Sequence, residues 1–127
     1  MTGAGFLAVG VGAVLGAWTR WGLAVALNAV FPLFPLGTLV TNVVGGFGIG
    51  VAIEIFGLRA SLGPEMRLFV ITGFMGALTT FSTFSAEAVT LLLRAQYGWA
   101  FTLVGSHLAG SLLATILGIA CVRWIAG

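Results

Sequence analysis

The sequence predicts an all-α integral membrane protein of four transmembrane helices, on the strength of three observations. Hydrophobic residues fill 60% of the 127 positions, only 6% are charged, and mean hydropathy is +1.19, far outside the range of water-soluble domains. Four apolar runs can be drawn, roughly 6–27, 36–56, 68–93 and 99–122, each near or above the ~20 residues that cross a hydrocarbon core. None of them alternates apolar and polar residues as a barrel strand does, and a segment in lipid must satisfy its own backbone, so helices are predicted. Residues 1–127 therefore read as a single four-helix transmembrane domain, with no soluble domain.

The first run, Phe6 to Leu27, competes with a cleaved signal peptide. It has no basic stretch before it, Arg20 interrupts it late, and no exportable domain follows, so a transmembrane helix is the expectation. Gly12 and Gly16 form a small-xxx-small pair that lets another backbone approach closely. Arg20 could draw an anion into a vestibule or snorkel to the interface.

In the second run, Leu36 to Phe56, Gly46 and Gly50 make another such pair, and so many small faces also suggest binding to a further copy. Thr38, Asn42 and Gly45 share a stripe. The Asn42 amide carries two N–H donors suited to an anion, and also suited to fixing two helices together. Glu54, near the end of the run, reads as interfacial.

Segment Gly73 to Glu87 of the third run is the specific part of the chain: all seven residues from Thr79 to Ser85 are hydroxylated or aromatic. Glycines followed by β-branched hydroxyl residues weaken a helix in mid-membrane, and freed backbone groups survive there only where protein or a water-filled cavity receives them. A break near the middle of this helix is predicted, and a broken helix points to an ion pathway. Beyond it Phe81 and Phe84 share a face beside a polar stripe of Thr80, Thr83 and Glu87. Ring edges favour anions and ring faces favour cations, and spacing alone does not choose between them. Glu87 could face a pore or pair with an arginine.

The fourth run, Trp99 to Val122, carries His107, Ser111 and Thr115 at every fourth position, a polar seam that could line a pore. Cys121 stands alone and reads as a small apolar filler. The connections, about eight residues around Pro32 and Pro35, about eleven from Gly57 to Arg67 and about five from Arg94 to Gly98, are too short for a catalytic domain. Function is thereby narrowed to transport, conduction or structure, without enzyme chemistry. The net charge of +2 comes from scattered arginines and is no nucleic-acid footprint. Four spans set Arg59, Arg67 and Arg123 against Arg20 and Arg94, a bias too small to fix one orientation, so insertion both ways is allowed.

The block Gly73 to Phe84, with its Gly-x-x-Gly-x-x-Thr-Thr-Phe-Ser-Thr-Phe core, closely resembles the signature of the bacterial fluoride channels called Fluc or CrcB. Gly12, Gly16 and Arg20 resemble that family's first-helix pattern, and Gly37-Thr38-Leu39-Val40-Thr41-Asn42 with Gly45 resembles its second. The match loosens around Asn28 to Pro35 and in the last helix. The resemblance implies an antiparallel, dual-topology homodimer in the bacterial cytoplasmic (inner) membrane, with two fluoride pores and a structural sodium ion (Na+) at the centre of the interface. It implies that Gly76 and Thr79 offer backbone carbonyls to that sodium, that Phe81, Phe84 and Asn42 line the fluoride path, and that Ser82, Thr83 and Ser111 form a polar track. Glu87 and Arg20 would sit towards pore ends. The implied activity is passive export of fluoride down its electrochemical gradient, which protects the cell from fluoride toxicity; the partners are fluoride, lipid and a second copy. Two alternatives are a small proton-coupled multidrug-type transporter, whose first-helix carboxylate is absent here, and a structural membrane subunit, which would leave Asn42 and the Thr-Phe-Ser block without a purpose.

Overall fold

The computed structural model describes Met1–Gly127, all of it helical apart from caps, turns and one internal interruption. Helix α1 is Gly3–Leu27 and α2 is Leu36–Leu58. The third span opens as α3 (64–78), whose parts are Pro64–Arg67, a π-helical Leu68–Met75 and Gly76–Leu78, and resumes as α4, Phe81–Leu93. Helix α5 is Tyr97–Ala126. All four spans are long and apolar enough to cross a membrane, and each exceeds its sequence-predicted run by a few residues. Thr2 caps α1 by accepting from Gly5 N at 3.0 Å, and Pro64 opens α3 at a position where a missing N–H costs nothing.

Close approach of the helices rests on glycine. A Cβ on Gly12 would meet the Phe69 carbonyl and, at 2.9 Å, the Phe74 nitrogen; one on Gly16 would meet the Phe74 carbonyl and Leu78 N. The two groups facing Gly12 are five residues apart, the separation of a π-turn, so the wide turn of α3 lies against the notch in α1. Gly46 and Gly50 play the same part against Ser111 and Thr115 of α5, and Gly118 does so against Phe47. These glycines are thus occupied inside the chain, and the suggestion that their faces receive another copy is not where the structure uses them.

The apolar core is small: Phe34, Phe84, Ala88, Leu91, Ala100 and Leu103, from the first connection, α4 and α5. Large hydrophobics elsewhere face outward, as expected when lipid is the solvent. Glu54 and Arg123 pair at 2.9 Å where α2 and α5 end together, a contact that solvent screens because the arginine is exposed. The turn from α4 to α5 closes with Gln96 N donating to Leu91 O and Ala95 N to Leu92 O, which places Ala95 at φ 56°.

Candidate functional site

The site grows from the interruption at Thr79 and Thr80, which adopt extended backbone with ψ of 155° and 118°. In a continuous helix Thr80 N would donate to Gly76 O and Thr83 N to Thr79 O. Here Thr80 N donates to Asn42 Oδ1 at 2.8 Å, and Thr83 N donates to Thr80 Oγ1 at 3.1 Å, so Thr80 also serves as N-cap of α4. Gly76 O and Thr79 O each lose the N–H four residues on. Ala77 O and Leu78 O lose theirs as well, since neither Phe81 N nor Ser82 N bonds back across the break. No cluster of three or more His, Cys, Asp or Glu exists in the chain, whereas backbone oxygens of this kind would suit a hard, oxygen-seeking cation.

Asn42 holds the break from α2. Its Oδ1 accepts from Thr80 N, and its Nδ2 donates to Thr80 O at 3.0 Å, so the amide closes onto both backbone groups of one residue. Its second amide hydrogen points at His107 Nδ1, also 3.0 Å away. Both N–H groups of Asn42 are therefore engaged. His107 is buried and its ring stacks obliquely on Phe84, centroids 4.6 Å apart at 32°. Phe84 in turn meets Phe81 in an edge contact, 5.4 Å and 69°. Phe84 is 7% exposed and Phe81 73%, so the pair joins the chain's interior to its open face.

Two clefts meet at Thr80. The larger, about 410 Å³, brings together Asn42, Gly45, Gly76, Thr79, Phe81, Phe84, His107 and Ser111. The smaller, about 290 Å³, gathers Arg20, Trp21, Asn28, Thr38, Thr80 and Thr83. Thr38 Oγ1 donates to Glu87 Oε1 at 2.6 Å, which ties α4 to α2 one turn from Asn42. Arg20 Nε, Glu87 Oε2, Gln96 Oε1 and His107 Nε2 are buried without a hydrogen-bond partner. Among the sequence-predicted residues, Asn42, Phe81, Phe84, Ser111, Gly76 and Thr79 thus share one cleft, and Arg20 and Thr83 share the other. Ser82 is exposed, 3.4 Å from Thr80 Oγ1. Thr115 leaves the expected seam and donates to Gly46 O at 2.9 Å, which binds α5 to α2.

Sequence reasoning missed two things here: the Thr80 backbone as the partner of Asn42, and the bond between Asn42 and His107. The available signal was that a buried amide needs partners, but spacing does not say which backbone group has lost its helical one.

A family model described as CrcB-like protein, Camphor Resistance (CrcB), matches residues 7–119. A protein of Nitrosospira multiformis named "Fluoride-specific ion channel FluC" is 61% identical over 119 residues, covering 94% of this chain and 93% of the relative. Proteins of the same name from Ralstonia pickettii and Pseudomonas putida are 57% and 53% identical, each covering at least 95% of both chains.

Proposed function

From a chain that belongs to the CrcB-like family, we propose that it is a fluoride-selective ion channel, through which cytoplasmic fluoride leaves passively down its electrochemical gradient. The observation that carries this reading is the meeting of Asn42, Phe81, Phe84, His107 and Ser111 on one cleft at the break of the third span. Fluoride holds its water tightly, so a selective path must offer replacement donors; the Asn42 amide and hydroxyls such as Ser111 are of that kind, with ring edges of Phe81 and Phe84 in support. Ser82 and Thr83 extend the polar track, while Arg20 draws anions into the smaller cleft and Glu87 lies towards a pore end. Fluoride that enters a cell as neutral HF dissociates in the cytoplasm and is trapped there as the anion, and a channel relieves that accumulation without an energy source.

The large cleft lies on the open face of a single chain, with Phe81 73% exposed. A second, antiparallel copy in the bacterial cytoplasmic membrane would cover it and pair two breaks. Gly76 O and Thr79 O of both copies would then hold a structural sodium ion, whose contribution is to bind the two copies at their centre. Liposomes loaded with fluoride or chloride and carrying the purified chain test the reading: after a potassium ionophore is added, fluoride should leave rapidly and chloride should stay. Comparable efflux of both anions would defeat it.

A further inference from the structure

The bond between Asn42 and His107 has a direction that can be worked out. The Asn42 amide is oriented by Thr80, since Oδ1 accepts from Thr80 N and Nδ2 donates to Thr80 O, so the atom facing His107 is a donor. His107 Nδ1 must then be the bare, accepting nitrogen, and the proton of the neutral ring sits on Nε2, which has no hydrogen-bond partner within the single chain. A bare imidazole nitrogen is a compact lone pair, 3.0 Å from the N–H that the fluoride reading assigns to the anion.

Resting on that reading, we propose that His107 Nδ1 is a built-in stand-in for the anion. It takes the second amide hydrogen of Asn42 whenever no fluoride is there and yields it when fluoride arrives. The physical reason is the cost of leaving a buried N–H without an acceptor. Without the stand-in, Asn42 between ions would present an unsatisfied donor, and the next fluoride would bind deeply and leave slowly. With it, one acceptor is exchanged for another, so binding stays shallow and passage fast, as conduction demands. The ring is held for this exchange by burial at 3% exposure and by its stack on Phe84. His107 is in this sense a positioning residue, acting on the anion through Asn42.

His107 is the chain's one histidine, so nitrogen-15 histidine labelling of the full chain in lipid bilayers reports on it alone. In fluoride-free buffer the ring should be protonated at Nε2 and bare at Nδ1, and added sodium fluoride, unlike sodium chloride, should shift the Nδ1 resonance towards that of an unbonded nitrogen. In flux measurements His107→Leu should lower both the half-saturating fluoride concentration and the maximal rate, each by about tenfold if one unsatisfied donor is at stake. His107→Gln, whose side-chain oxygen can accept in place of Nδ1, should recover most of both. A ring protonated at Nδ1 overturns the proposal, as does a His107→Leu variant with wild-type half-saturation. The two possible failures are separable: wild-type liposomes that pass no fluoride overturn the channel reading, whereas wild-type flux with an unmoved Nδ1 resonance overturns the stand-in alone.

Discussion

Asn42 is the side chain on which most of the site depends, because its Oδ1 replaces the partner that Thr80 N loses when the helix stops and its Nδ2 adds a second bond to Thr80 O. Asn42→Leu keeps bulk but leaves the N–H of Thr80 unpaired, a penalty of about 1–3 kcal/mol for one buried group. We therefore expect a clearly lower thermal midpoint in detergent together with loss of fluoride efflux. Phe81→Ile should behave differently. Phe81 is 73% exposed in the chain and contributes little to its interior, so this variant should slow efflux by about tenfold, ~1.4 kcal/mol on a barrier, with the thermal midpoint unchanged. Wild-type efflux from Phe81→Ile would mean that the ring is filler. Residue type marks Asn42 as an amide in need of partners, and spacing puts Phe81 and Phe84 on one face, but only the family resemblance placed the two rings on an anion's path. The role of His107 Nδ1 was not legible in the sequence, because it depends on which way the Asn42 amide faces, and that is set by a backbone group 38 residues away.

At the level of helices, the break could be expected from glycine and β-branched residues in mid-span, and it falls at Thr79 and Thr80, the first of those β-branched residues. The π-helical turns before it could not be foreseen, since Leu68–Met75 contains ordinary apolar helix formers; the wide turn is registered against Gly12 in another helix. The released carbonyls of Gly76 and Thr79 belong to the backbone, so Thr79→Ser should change fluoride efflux by less than about twofold, while exchange of sodium for a large organic cation should impair it. Full efflux after rigorous sodium removal would remove the cation from the scheme. The turn between α4 and α5 offers an independent check. Ala95 sits at φ 56°, a conformation that costs an L-residue roughly 1 kcal/mol and glycine almost nothing, so Ala95→Gly should raise the thermal midpoint without altering efflux.

For the whole molecule, the three-to-two division of arginines leaves orientation open, and the large cleft lies on a face that a second copy could cover. A cysteine replacing exposed Leu33 in a Cys121→Ala background should be labelled only in part from each side of the native membrane; complete labelling from one side would exclude dual topology. The four spans followed from hydropathy because lipid selects for it directly. The pairing of α1 with α3 and of α2 with α5 did not, because glycine notches show that some backbone approaches without showing whose.

Selective passage of fluoride is tested most directly by a planar bilayer holding the purified protein, with a tenfold sodium fluoride gradient and equal chloride on both sides. A path that passes fluoride and neither chloride nor sodium sets the reversal potential near ~59 mV, with the sign of an anion moving down its gradient. A reversal at zero, or at the opposite sign, would contradict it.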